Sequence, residues 1–279
     1  MIDRITEKPF RQARISGSTL VNADCFDVFP FIEDKSIDAI ICDLPYGTTA
    51  CKWDSIIPFE PLWEQYERII KDNGAIVLTA SQPFTTKLIN SNIKIFRYEL
   101  IWKKERPTNP LMCKKQFPKY HENICVFYKK QPTFNPQYIK RKEKNKRNNK
   151  PRNFADNTKV ITDKYSEMVL SGNNDYIYQP SIIEVPMERG LHPTQKPVKL
   201  LELLIKTYTN EGETVLDNCA GSFTTAVACD NTNRNWICIE KEEDYCNIGL
   251  TRINDNRERL GLPLLKSYNS RGDLIGEDD

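Results

Sequence analysis

Ile37-Asp38-Ala39-Ile40-Ile41-Cys42-Asp43-Leu44-Pro45-Tyr46-Gly47 is the stretch on which the fold turns. A continuous apolar run of strand length that ends in a carboxylate, a proline and an aromatic reads as a buried strand of a parallel sheet. Its carboxyl end is where open α/β sheets bind their ligands. Pro45 fixes its own φ and biases Leu44 away from helix, so the chain leaves the strand in a stiff extended turn. That turn presents an acceptor, bare carbonyls and a ring together, which suits a planar amine. On its own the tetrapeptide also fits an ordinary strand-to-loop corner, and the rest of the chain has to decide.

Working outward, Thr19 to Asp24 reads as a short strand ending in an acid. Phe59, Leu62, Trp63, Tyr66, Ile69 and Ile70 fall at helical spacing, closed by Asp72-Asn73-Gly74, and Ala75 to Thr79 reads as the next strand. This is βαβ grammar. Tyr98–Trp102 and Asn123–Tyr128, rich in β-branched and aromatic residues, predict two more strands. The pattern fails over residues 131–190, where Pro, Asn, Lys and Tyr are frequent and no helical period holds. It resumes at His192-Pro193-Thr194-Gln195-Lys196-Pro197, with Pro197 placed as the first residue of a helix whose apolar face is Val198, Leu201, Leu204, Ile205 and Tyr208. The strand Thr214–Asp217, a turn at Gly221, a helix through Ala226–Cys229, the strand Trp236–Glu240 and a final helix follow.

The expected fold is therefore α/β: a doubly wound, mostly parallel, Rossmann-like sheet with helices on both faces. The expected organisation is an N-terminal arm (1–16), a first half (17–130), an insertion (131–190), a second half (191–265) and a frayed tail (266–279).

With 279 residues the chain can bury a large core. Its nine cysteines show no CxxC pair or metal-ligand spacing, and Cys42, Cys125 and Cys238 sit in apolar runs, so reduced core thiols and a cytoplasmic setting are expected. No run approaches the roughly 18 apolar residues of a membrane span, which predicts a soluble, untargeted protein without a membrane partner. The net charge of +2 hides a concentrated run. Lys140, Arg141, Lys142, Lys144, Lys146, Arg147, Lys150 and Arg152 face one acid, Glu143, and aromatic residues flank them (Phe134, Tyr138, Phe154, Tyr165). Cations interleaved with stacking side chains suit nucleic acid, although a solvated loop has the same composition.

A second constellation runs from Val215 through Asp217, Asn218, Cys219 and Gly221 to Thr224 and Thr225, with Glu240 closing the next strand 23 residues after Asp217. An acid at that strand tip is placed to grip ribose hydroxyls. Only Gly221 is present in the turn and Phe223 stands where a second glycine would be, so a pyrophosphate cradle is not expected.

Three segments, Asp43-Leu44-Pro45-Tyr46-Gly47-Thr48-Thr49, His192–Pro197, and Leu216-Asp217 through Gly221 to Thr225 with Glu240, together resemble the β-class DNA amino-methyltransferases that use S-adenosylmethionine. The likeness covers roughly residues 18–130 and 190–255. It is closest to phage and prophage adenine enzymes, which also carry a Lys-Trp-Asp like Lys52-Trp53-Asp54. The resemblance implies that Asp43 and the Leu44 carbonyl accept hydrogen bonds from the target amine, Pro45 shapes the turn and Tyr46 stacks on the base. It places Asp24 and its neighbour Cys25 near the cofactor adenine and Glu240 on the ribose. Asp217, Cys219, Gly221, Thr224 and Thr225 would line the methionine end. Thr194 and Lys196 would hold the amino-acid carboxylate, with His192 buttressing its motif. Lys140, Arg141, Lys142, Lys144, Lys146 and Arg147 would contact double-stranded DNA, and the insertion would read the target. Gly221-Ser222-Phe223-Thr224-Thr225 departs from the usual Gly-Ser-Gly-Thr-Thr.

The implied chemistry needs no covalent intermediate, and the implied base must be flipped out of the duplex. Methylation at cytosine carbon 5 requires, in that family, a cysteine after a proline; none of the nine cysteines follows one. No hydrolase or metal site is expected from His121 and His192. Three readings stay open: an adenine N6 enzyme, a cytosine N4 enzyme, and a silent DNA-binding module whose pocket Phe223 has closed. A homodimer and a partner nuclease are also left open.

Overall fold

The computed structural model describes residues 5, 8, 10–48, 54–141, 175–188, 195–271 and 273–275. The chain divides into two units: Met1–Asn135 with Ser181–Asp279, and Pro136–Pro180. Within the described residues of the second unit, β7 (Tyr138–Lys140) pairs antiparallel with β8 (Tyr176–Tyr178).

The first unit is built on a sheet of ten described strands. These are β1 (Arg11–Ile15), β2 (Ser18–Asn22), β3 (Ile37–Cys42), β4 (Ile70–Ala80), β5 (Phe96–Lys103), β6 (His121–Phe127), β9 (Ile182–Glu184), β10 (Thr214–Asp217), β11 (Asn235–Glu240) and β12 (Lys266–Tyr268), in the order β12-β1-β2-β11-β10-β3-β4-β6-β5-β9. The central block β2-β11-β10-β3-β4 is parallel throughout. Its strands alternate between two cores, as the two-residue period of a strand dictates. Ala39, Ile41 and Val215 enter one core, Ile40, Cys42 and Leu216 the other. Helices α1 (Cys25–Val28), α2 (Phe59–Ile69) and α3 (Phe84–Ser91) cover the second core, and α4 (Val198–Tyr208), α5 (Thr224–Asp230) and α6 (Glu243–Arg259) the first. α2 buries Leu62, Trp63, Tyr66 and Ile69, one helical stripe, and Trp63 Nε1 donates to Ser91 Oγ at 2.8 Å.

From β3 the chain passes through α2 to β4 on one side; from β10 it passes through α5 to β11 on the other. β3 and β10 are themselves neighbours, with Val215 opposite Ala39 and Leu216 opposite Ile40. The winding therefore reverses between them, and the crevice at their carboxyl ends is the natural ligand site of such a sheet.

The structure corrects several sequence-based boundaries. Residues 11–15 of the expected arm form β1, and residues 266–268 of the expected tail pair with it as β12, with Arg14 stacked 3.8 Å from the Tyr268 ring centre. Two segments that looked polar and loose thus complete a sheet edge together. The insertion is narrower than 131–190. Asn135 is tied to α4 by its backbone N–H to the Thr207 carbonyl at 2.7 Å, and Ile182–Glu184 runs parallel to β5 in the main sheet. Asp72-Asn73-Gly74 does not close α2 but lies inside β4, where the register with β3 shifts. A side chain at Gly74 would fall 2.8 Å from the Asp38 carbonyl, so the irregularity needs glycine. Pro197 caps α4 from an extended conformation rather than opening its first turn.

Candidate active site

The turn expected to be catalytic is built where β3 ends. Asp43 receives three donors. Tyr46 OH reaches Oδ1 at 2.7 Å, Thr79 Oγ1 from neighbouring β4 reaches the same oxygen, and Lys196 Nζ lies 2.5 Å from Oδ2. Lys196 is only 6% exposed and also stands 3.5 Å from Glu122 of β6, which in turn pairs with Lys104. Asp43, Lys196, Glu122 and Lys104 thus form a chain of alternating charge. Burial alone would lower the Lys196 pKa, but the Asp43 and Glu122 carboxylates outweigh it and raise it, so the ammonium keeps its charge.

The turn after Tyr46 is pinned by Asp54, whose carboxylate accepts the backbone N–H groups of Gly47 at 2.8 Å and Thr48 at 2.9 Å. Gly47 has φ +66°, and a side chain there would meet Ile56 at 2.9 Å. Tyr46 stacks on Phe84 with ring centres 5.1 Å apart, and burial followed by the Asp43 charge raises its hydroxyl pKa well above the usual phenol. Its hydroxyl is engaged and Phe84 covers part of the ring, so Tyr46 can offer a base only its remaining surface.

The second constellation meets the first in one cavity of about 440 Å³, lined by residues following β2 (Asp24, Cys25), β3 (Asp43, Leu44, Pro45, Tyr46), β10 (Asn218, Cys219, Gly221, Thr224, Thr225) and β11 (Lys241), together with Asp217, Glu240 and Lys196. Asp217 accepts the Cys219 N–H at 3.1 Å and the Thr225 hydroxyl at 2.5 Å; burial pushes its carboxyl up to about 6. Glu240 accepts from the Gly221 N–H at 2.8 Å and the Glu242 N–H at 2.9 Å, and burial raises its pKa as well. Asp24 caps α1 through the Phe26 N–H at 3.0 Å. Burial also raises the thiol of Cys25, and Cys219 lies beside the Asn218 amide at 3.5 Å.

Phe223 adopts φ +58°, yet its ring is fully buried and does not line the cavity. It packs on α6 at Gly249, where an added Cβ would fall 2.0 Å from Phe223 Cδ2. The bulky residue in the turn has been accommodated beneath it. The walls fit S-adenosylmethionine: Glu240 offers an acceptor for ribose hydroxyls, Asp24 a further carboxylate, and Ile56, Ile57 and Pro58 an apolar side.

The structure places Lys196, expected on the amino-acid carboxylate of the cofactor, on the cavity wall beside Asp43. Its ammonium pairs with the carboxylates of Asp43 and Glu122, both partly exposed. His192 and Thr194 lie outside the described residues, as do Lys142, Lys144, Lys146 and Arg147. Lys140 lies in β7 and the Arg141 N–H bonds the Asp175 carbonyl at 2.6 Å, both within the second unit. The sequence reading missed Thr79, Glu122, Lys104 and Arg252. Arg252 donates to the Ser222 carbonyl at 2.8 Å and the Thr224 hydroxyl at 2.9 Å, bracing the cofactor turn from α6. Glu122 was findable: an acid opening an apolar strand lies at the same sheet edge as Asp43 if that strand runs antiparallel to β4, as β6 does.

The family model for DNA methylases, covering N6 and N4 methyltransferases, matches residues 37–251. Among individual relatives, the Type II methyltransferase M2.MboI of Moraxella bovis is 25% identical over 89% of this chain and 92% of its own length. DNA adenine methyltransferase YhdJ of Escherichia coli K12 is 29% identical over 85% of this chain and 83% of its own. The solved PvuII DNA methyltransferase (cytosine-N4-specific) shares the fold with a TM-score of 0.60 at 13% identity, covering 91% of this chain and 95% of that one. The M1.HpyAVI–SAM complex shares it with a TM-score of 0.55 at 24% identity, covering 84% and 98%. With the family match spanning both constellations, the chain belongs to the N6/N4 DNA methylase family.

Proposed function

We propose that this DNA methylase transfers the methyl group of S-adenosylmethionine to the exocyclic N6 amine of adenine in double-stranded DNA. One observation carries the reading: Asp43, fixed by Lys196, Thr79 and Tyr46, shares a cavity with Asp217 and Glu240 at the switch point of the sheet. Of the relatives, YhdJ is named as a DNA adenine methyltransferase.

The amine of adenine is a weak nucleophile because its lone pair is delocalised into the ring. A carboxylate offers about four acceptor positions. Three donors occupy Asp43, which leaves one position for an amine hydrogen. The Leu44 carbonyl is the acceptor for the second hydrogen, and the two together favour a pyramidal nitrogen with its lone pair free. Bound S-adenosylmethionine supplies an electrophilic methyl on its sulfonium. Catalysis is then positioning and fixed electrostatics rather than covalent chemistry.

The silent-module reading requires Phe223 to fill the pocket, and the ring is packed against α6 instead. Nucleoside analysis of DNA incubated with the protein and S-adenosylmethionine tests the proposal. N6-methyladenine is expected; N4-methylcytosine would overturn the choice of base, and cofactor binding without any modified nucleoside would overturn the activity.

A further inference from the structure

β5 ends and β6 begins at the sheet edge that carries Asp43, since Lys103 lies opposite His121 and Asn123 opposite Ala80 at the end of β4. The connection between them, residues 104–120, therefore rises beside the catalytic turn. Both its feet are anchored. Lys104 pairs with Glu122 of the catalytic charge chain, and its N–H bonds the Tyr120 carbonyl at 2.7 Å. Lys119 reaches Ser81, the residue after β4. Inside, Asn109 Oδ1 accepts the Lys119 N–H at 2.6 Å, and the Met112 carbonyl accepts Lys115 N–H at 2.8 Å and Gln116 N–H at 3.0 Å.

This hydrogen-bonded loop displays what a soluble surface ordinarily hides. Leu111 and Phe117 are each 95% exposed, and Met112 is 40% exposed. Scattered surface apolar groups are common, but two large ones presented almost in full on one ordered loop are not. Arg106, Lys114 and Lys115, all exposed, surround them, with Glu105 the acid of the segment 104–120. Apolar side chains on a cationic platform match a duplex: phosphates outside, and stacked base faces once a step has been opened.

We propose that residues 104–120 form a wedge that enters the DNA duplex at the target, with Leu111 or Phe117 occupying the gap left by the extruded base. The inference rests on the adenine-methyltransferase reading and adds to it the element that holds the duplex open. Apolar wedges of Leu or Phe inserted between base steps are an established means of stabilising unstacked DNA. An enzyme acting on a paired base must meet the unstacking cost from some such contact. The anchoring of the loop on the Asp43–Lys196–Glu122–Lys104 chain fixes the wedge relative to the base pocket.

The test compares wild type with the double variant Leu111→Ser/Phe117→Ser, two exposed positions where folding should be unaffected. The recognition sequence is first read by sequencing DNA that the wild type has methylated. Two duplexes containing it are then used, one fully paired and one with an abasic site opposite the target adenine, where extrusion is already easy. The double variant is expected to lose at least about tenfold in kcat/KM on the paired duplex and less than about threefold on the abasic one. Equal losses on both would reduce the loop to a general contact and overturn the wedge, as would no loss on either. Conversion of a wild-type dimer to a monomer with both rates unchanged would also overturn it and assign the patch to a second copy of this chain. A wild type that methylates no adenine in the first, sequencing step would instead sink the adenine reading itself.

Discussion

Lys196 Nζ and Asp43 Oδ2 lie 2.5 Å apart although 153 positions separate them in the chain. The contact joins the segment before α4 to the turn after β3, and so couples two of the three motifs that carry the family resemblance. It also gives Asp43 a fixed orientation before any substrate arrives. An acceptor held ready in a partly dry site contributes more than one that must reorganise during the reaction.

Removing the cation should therefore damage stability and catalysis together. Lys196→Met leaves the Asp43 and Glu122 carboxylates without their shared partner; both are partly exposed and Glu122 keeps Lys104, so the loss should be about 1–3 kcal/mol, below that for a fully buried pair. Urea titration should show the unfolding free energy fall by that amount. Adding Glu122→Gln should restore part of the loss, because groups in one network couple by about 0.5–3 kcal/mol. Strict additivity of the two substitutions would show that the charges act independently.

Asp43→Asn keeps the shape of the side chain and removes its charge. Loss of a single such electrostatic group slows turnover by about a hundredfold to a thousandfold, while affinity for DNA should stay within about threefold because the contact matters most as the amine rehybridises. Single-turnover methylation and DNA titration on the same preparation separate the two quantities. A variant that retains half of the wild-type rate would remove Asp43 from the reaction.

Much of this site was legible in the sequence, for definite reasons. Ile37–Cys42 reads as a strand because all six of its residues are buried, and Asp43 reads as chemistry because a carboxylate directly after such a strand is otherwise expensive. Asp217 and Glu240 followed from the same logic. What stayed hidden are contacts that only topology creates. Thr79 and Glu122 reach Asp43 or its partner because β4 lies beside β3 and β6 beside β4, a strand order that periodicity does not encode. β1 and β12 were missed because strands at the margin of a sheet are short and half polar, and their pairing joins segments near the two ends of the described chain. Asp38, counted within a continuous apolar run, has a role the sequence does not show: its carboxylate accepts the Thr214 N–H at 2.9 Å and pairs with Lys71 at 2.6 Å, tying β3 to the start of β10.

The acidity of Asp217 has a measurable sign. Burial raises its pKa from 3.8 to about 6, so the folded protein holds this proton more tightly than the unfolded chain does. Stability then falls as pH rises from about 4 to about 6 and stays lower above that range, by about 3 kcal/mol for a shift of some two units. Asp217→Asn cannot titrate and escapes the penalty. Unfolding free energies of both proteins from pH 4 to pH 7 should show the variant gaining on the wild type through that window. Parallel curves would mean that Asp217 titrates alike in both states.

Phe223 and Gly249 should behave as one packing unit with a sign reversal. In the wild type, Gly249→Ala would place Cβ 2.0 Å from Phe223 Cδ2, and such overpacking costs about 1–3 kcal/mol, more than the roughly 1 kcal/mol that alanine gains over glycine inside a helix. Phe223→Ala empties a fully buried site, for a loss of about 3–5 kcal/mol. In that background the Gly249→Ala methyl enters vacated space and keeps its helical advantage, so it should stabilise. Because the ring does not line the cavity, Phe223→Ala should change affinity for S-adenosylmethionine by less than tenfold, about 1.4 kcal/mol, when measured by calorimetry at a temperature where the variant is folded. A hundredfold gain in affinity would show that the ring intrudes on the cofactor after all, and an unchanged sign for Gly249→Ala would show that the two residues do not share their space.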